Sequence, residues 1–204
     1  MEITSEKLLI VEGKNDERLF RAILKYLAID HPSIENVQLI DMKGVKNLRG
    51  LLKDLVNAPN FHTVKTIGII RDADTNQKGA FNGVCDSLKL VGLSAPDKNM
   101  NSSGNAPKTC IMILPGNDSH GILEDVCLSS LAGADRGVDC ADVFIECIKE
   151  KGLLHSNNLS KTKIHALLSV SKNPEHRLGE AAQAGYFDWS HTAFDPLKTF
   201  LASL

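Results

Sequence analysis

The residues with the clearest capacity for chemistry in this sequence are carboxylates that close short apolar runs. Glu12 follows Lys7-Leu8-Leu9-Ile10-Val11, with Asp16 four residues on, and Asp72 and Asp74 follow a run that ends at Ile70. Two apart on an extended chain, Asp72 and Asp74 would point to the same side and offer one cation two hard oxygen ligands. Gly13 leads a turn after Glu12, so the start of a following helix would bring Asp16 toward the same centre. Uncompensated carboxylates gathered in one place call for a cation. Each acid also has a plainer explanation, Asp16 as a helix N-terminal acid and Asp72 and Asp74 as loop caps. All of them at strand ends of one sheet favours a divalent metal site.

The elements that must position these acids alternate. Lys7 to Val11 has the unbroken apolar character of a strand buried on both faces. Leu19, Phe20, Ile23, Leu24 and Leu27 then recur at helical spacing, with Asp16 and Glu17 in the first turn. Val37-Gln38-Leu39-Ile40 reads as a second strand, and Val45, Leu48, Leu51, Leu52, Leu55 and Val56 as a second helix, with Lys46, Arg49 and Lys53 opposite. Residues 64–70 form a third strand and residues 81–90 a third helix. This βαβαβα order predicts an α/β fold with a doubly wound, mostly parallel sheet flanked by helices.

Residues 94–108 form a long polar loop, residues 109–114 a fourth strand, and Pro115-Gly116-Asn117-Asp118 closes it. Helices are predicted over residues 122–131, 138–149 (with Ala141, Phe144, Ile145 and Ile148 as its apolar stripe), 161–168 and 196–204. The expected organisation is an α/β core over 1–118 and a mostly helical C-terminal extension over 119–204, packed on the core as one unit. Ligands of such sheets bind beyond the carboxyl ends of the strands, which adds Glu124 and Asp125 to the candidates, with His120 a weaker one.

Composition narrows the class. A chain of 204 residues with 43% hydrophobic content suits one core with a modest extension. No apolar run approaches a bilayer span, and the polar first residues predict a soluble, unprocessed protein without membrane association. Five cysteines, an odd number with no C-x-x-C pair, suit neither a disulfide framework nor a zinc cluster and point to reduced thiols in a cytoplasm. With 23 Lys+Arg against 25 Asp+Glu, the net charge of -2 lacks the footprint of a passive DNA-coating protein. It is compatible with a carboxylate cage whose charge bound cations neutralise. Oligomeric state is not set by composition.

Leu9-Ile10-Val11-Glu12-Gly13-Lys14-Asn15-Asp16 followed by Ile69-Ile70-Arg71-Asp72-Ala73-Asp74 resembles the Toprim domain. That domain is shared by topoisomerases, bacterial primases, small RNA-maturing nucleases and nucleases of the overcoming-lysogenisation-defect family. The resemblance covers roughly the first half of the chain and implies a Toprim-like fold. It implies that Glu12 binds metal or acts as general acid or base, and that Asp72 and Asp74 hold Mg²⁺ or Mn²⁺. Asp16 is similar to the second acid of a Glu-Gly-x-x-acid pattern in the lysogenisation-defect nucleases, which implies two metals and hydrolysis. Asn76 stands where topoisomerases and primases often carry a third Asp, and the tyrosine region and zinc cysteines of those enzymes are missing, so strand passage and priming do not fit.

In such nucleases later acids supply the second metal's ligands, a role that would fall to Glu124 and Asp125; a surface-facing first helical turn explains them equally well. A lysine near the scissile phosphate is also implied, with Lys161 and Lys163 as candidates, although surface lysines are ordinary. Lys14, Lys43, Lys46, Arg49 and Arg71 would contact the flanking backbone. The implied activity is a Mg²⁺- or Mn²⁺-dependent nuclease, or a related phosphoryl-transfer enzyme, on DNA or RNA, with a protein partner such as an ATPase. The alternative is a non-catalytic Toprim-like module that binds nucleic acid or protein. A receiver-like phosphate binder is a third, for which no Gly-rich loop is present.

Overall fold

Short runs become the strands, apolar and buried in the middle of the sheet and less buried at its two edges. They are β1 (Lys7–Val11), β2 (Val37–Asp41), β3 (Thr66–Asp72), the two-residue β4 (Ser102–Ser103) and β5 (Lys108–Leu114). The computed structural model describes residues 1–116, 120–132 and 137–204. The sheet order is β2-β1-β3-β5-β4, with β1, β2, β3 and β5 parallel and only β4 antiparallel. The fold class is the expected one: a doubly wound, mostly parallel, Toprim-like α/β sheet flanked by helices, with a helical C-terminal part.

The helices are α1 (Lys14–Leu27), α2 (Leu48–Val56), α3 (Gln77–Leu90), α4 (Leu123–Leu131), α5 (Val138–Glu150), α6 (Leu159–Ser169), α7 (Leu178–Gln183) and α8 (Asp195–Ala202). Strand alternation divides the core in two. On one face Leu9, Val11, Ile70 and Met112 meet Leu19, Phe20 and Ile23 of α1 and residues of α4, α6, α7 and α8. On the other, Leu8, Ile10, Ile69 and Ile111 meet Leu48, Leu52 and Leu55 of α2 and Val84 and Leu88 of α3. The residues after α7 join the first core through an aromatic cluster in which Trp189 and Phe194 stack edge-on at 4.9 Å. Gly68 lets the chain end lie on the sheet, since a Cβ there would come within 2.7 Å of Leu204 Cδ2.

Local departures from the sequence expectations have identifiable causes. The second helix does not begin at Val45, because residues Val45–Asn47 form a tighter 3₁₀ turn after Gly44, whose φ of 97° breaks the helical path. The polar loop contains β4, whose Ser102 and Ser103 pair with Cys110 and Thr109. In α5, Ala141 and Ile145 are buried, but Phe144 of the expected stripe is 51% exposed. The six-residue α7 is too short to show an apolar period in sequence. Asn117 and Asp118, expected to close the fourth strand, lie outside the described residues. No helix among the described residues is long and apolar enough to cross a membrane.

Candidate functional site

The sheet has a topological switch between β1 and β3: the chain leaves β1 toward β2 on one side and leaves β3 toward β5 on the other. A crevice opens beyond the carboxyl ends of strands at such a point. Here it is a cleft of about 700 Å³ lined by Glu12, Asp16, Asp72, Glu124, Lys161 and His165, with Lys14, Arg18, Arg177 and Glu180 along its wall.

Register explains how the acids meet. Ile10 pairs with Ile69, so Glu12, one residue past the end of β1, comes level with Arg71 near the end of β3, and the Asp72 N–H donates to Glu12 Oε1 at 3.0 Å. Asp72 Oδ1 in turn accepts from the Leu123 N–H at 3.0 Å, which ties the start of α4 to the strand end and brings Glu124 to the cleft. Asp16 Oδ2 accepts from the Gly13 N–H at 3.1 Å at the start of α1. One oxygen of each of these three acids is thus held by backbone, and the other has no hydrogen-bond partner among the described residues. Lys161 of α6 stands opposite, with Nζ 4.0 Å from Glu124 Oε1.

Electrostatics records this crowding. Burial, reinforced by the charges of Glu12 and Glu124, pushes the Asp16 carboxyl from 3.8 up to about 7. Asp72 is raised well above the usual carboxylate range, first by burial and then by Glu12, Asp16 and Glu124. Burial also raises Glu12 and Glu124, while the Lys161 ammonium pulls both down. Acids that resist ionisation because they are buried, and in Asp16 and Asp72 because of one another as well, make a site that attracts positive charge. Among the described residues, no three His, Cys, Asp or Glu side chains stand ready to hold one metal ion as they are.

Other candidates lie elsewhere. Asp74 is exposed and outside the cleft lining, because its left-handed backbone (φ 49°) and its bridge to Gly121 end the strand alternation that would have aligned it with Asp72. It remains close enough to raise Glu12 through its charge. Asp125 uses both oxygens locally, accepting from the Ile122 N–H at 2.8 Å and from the Ser160 hydroxyl. Lys163 pairs with Asp142 of α5 and does not line the cleft. Arg71 turns inward, its Nη1 donating to the Ala80 carbonyl at 3.3 Å and its Nε 4.0 Å from Glu12 Oε1. Lys43, Lys46, Arg49 and His120 are exposed and outside the cleft lining.

His165, Arg18 and Arg177 were not foreseen at the site. His165 carried a usable signal, because it lies four residues after Lys161 and so on the same helical face. Arg18 reaches the wall through an ion pair with Glu180, and Arg177 and Glu180 come from the start of α7. The family model described as a protein of unknown function (DUF3226) matches residues 6–204, almost the whole chain. The chain belongs to the DUF3226 family. No curated protein and no solved structure matches it. The match runs through both the sheet that supplies Glu12 and Asp72 and the C-terminal helices that supply Lys161 and Arg177, so the cleft of this DUF3226 chain is built entirely from residues inside the family region.

Proposed function

We propose that this cleft hydrolyses phosphodiesters of nucleic acid with the help of Mg²⁺ or Mn²⁺. The observation that carries the reading is the convergence of Glu12, Asp16, Asp72 and Glu124, each with a raised pKa, at the switch point of the sheet with Lys161 opposite. These four acids are the residues that would hold the cation, and the all-oxygen set fits a hard ion. Mg²⁺ keeps several waters and needs only one or two carboxylates, so a ready cage of three is not required. When bound, the cation would polarise the phosphate and acidify a water. The motif resemblance to Toprim nucleases supports the same reading.

The side chains have separable roles. Lys161 balances negative charge on the phosphate undergoing substitution. Glu12, whose carboxyl is raised by burial, has two alternative roles, holding the cation with the other acids or taking a proton from the attacking water. Lys14, Arg18 and Arg177 on the wall hold phosphates to either side. The cations Lys14, Arg18 and Arg177 along the wall would equally serve a second reading, a Toprim-like module that binds nucleic acid or protein without turnover.

One experiment separates them. Purified protein is incubated with single-stranded oligonucleotide and with plasmid in Mn²⁺, alongside Glu12→Gln and Asp72→Asn. Cleavage by the wild type that both substitutions abolish supports hydrolysis. Binding and a metal-dependent rise in Tm with no cleavage supports the module, and cleavage that survives in both variants removes the site from either account.

A further inference from the structure

Helix α1 carries a row of cations. Lys14, Arg18, Arg21 and Lys25 follow one another at helical spacing and share one face over about 16 Å. Lys14 and Arg18 line the cleft, whereas Arg21 and Lys25 line a separate groove of about 540 Å³ further along α1. Helix α7 runs with α1 past both hollows, giving Arg177 and Glu180 to the first and Ala182 and Gln183 to the second, and the Arg18–Glu180 ion pair marks the junction. The groove is mostly apolar, with Tyr26, Ile29 and Trp189 in its lining, and among the described residues no Asp or Glu lines it. Glu35 belongs to the neighbouring groove beside β2. Glu17 pairs with both Lys14 and Arg21, but its side chain is only 12% exposed while theirs are 65% and 59% exposed. One sunken carboxylate under two cations leaves positive charge outermost.

We propose that this groove is a nucleobase site, which takes the bases of a single strand of nucleic acid running along α1 from the cleft. The inference rests on the reading of the cleft as a nucleic-acid site, though not on turnover there. A single strand offers both things this surface calls for: phosphates for a row of cations, and flat apolar bases for a groove with aromatic lining. Tyr26 is 37% exposed and free to stack on a base, while Trp189 is fixed against Phe187 and Phe194 and gives the groove a rigid side. The exposed Gln183 amide presents a donor and an acceptor to a base edge. Continuity with the cleft along the same two helices selects this occupant, since a strand whose phosphates lie at Lys14 and Arg18 is carried on to Arg21 and Lys25. A duplex keeps its bases stacked on one another, so it meets the cations and leaves the groove unfilled.

Trp189 is the one tryptophan of the chain, so its fluorescence reports on the groove directly. The full chain is titrated in chelator with oligothymidylate of about 12 nucleotides, a length within the usual span of single-strand sites, and with a blunt duplex of the same length. The single strand is expected to quench Trp189 and to bind on the order of 10-fold more tightly than the duplex. Tyr26→Ala is expected to weaken single-strand binding about 10-fold, and Tyr26→Phe, which keeps the ring, to bind like the wild type. Lys25→Ala is expected to lower the slope of log affinity against log salt by about 0.7, the loss of one phosphate contact. Unchanged Trp189 emission at saturating oligothymidylate overturns the proposal, and a groove filled by a peptide or a second copy would show itself in this way. Equal affinities for single strand and duplex, or for wild type and Tyr26→Ala, overturn it too, even where the protein cleaves nucleic acid in Mn²⁺ and the cleft reading stands. Quenching by the single strand with no cleavage in Mn²⁺ supports the groove and counts against hydrolysis alone.

Discussion

Asp16 and Asp125 do the same local work, each accepting a backbone N–H at the start of a helix, but they differ in what is left over. Asp16 keeps one oxygen for the cleft, whereas Ser160 occupies the second oxygen of Asp125. Asp125→Ala is therefore expected to cost about 1–2 kcal/mol of stability, read by chemical denaturation, with metal binding intact. The two candidate lysines divide in the same way. Lys161→Ala is expected to lower cleavage on the order of 100-fold, while Lys163→Ala, which breaks an ion pair with Asp142 away from the cleft, should leave the rate unchanged and stability within about 0.5 kcal/mol. Equal rates for the two variants would remove Lys161 from the site. Glu12, Asp16 and Asp72 were legible in sequence because a strand end followed by a turn fixes where an acid must sit. Asp74 was misleading because alternation fails once the backbone turns left-handed, which Asp tolerates better than most residues.

The elements that finish the cleft come from the second half of the chain, and there sequence reading was weakest. The parallel strands announce themselves through short unbroken apolar runs and α1 through its helical period, but α7 has six residues and is held by contact rather than by pattern. That contact depends on Gly179, where a Cβ would run into the Asn15 carbonyl oxygen and come within 2.7 Å of the Arg18 Cβ. Backbone cannot yield as a flexible side-chain end does, so Gly179→Ala is expected to force α7 away from α1. A loss of about 1–3 kcal/mol and a lower Tm should follow. Substrate affinity should fall with it, since Arg177 and the Glu180 that holds Arg18 ride on α7. An unchanged Tm would mean that α7 does not pack this closely.

At the scale of the whole molecule, the crowded acids tie folding to pH and to metal. Asp16 rises from 3.8 when unperturbed to about 7 in the fold, and Glu12, Asp72 and Glu124 are raised as well. The folded state therefore holds protons that the unfolded chain releases. The stability that Asp16 contributes is complete below its unfolded value and is lost as pH rises through about 7, and the other three acids act in the same direction. In chelator, Tm is expected to climb as pH falls from about 8 to about 5.5. A divalent cation competes for the same oxygens, so its stabilising effect should be larger at the upper end of that range than at the lower. A chelated protein whose Tm is flat across the range would contradict the shared site.

The most direct test is Mn²⁺ binding followed by calorimetry at pH 8 in the wild type, Asp72→Asn and Asp125→Asn. The account predicts that the wild type and Asp125→Asn bind alike and that Asp72→Asn loses binding. No binding by the wild type, or equal binding by all three, would contradict it.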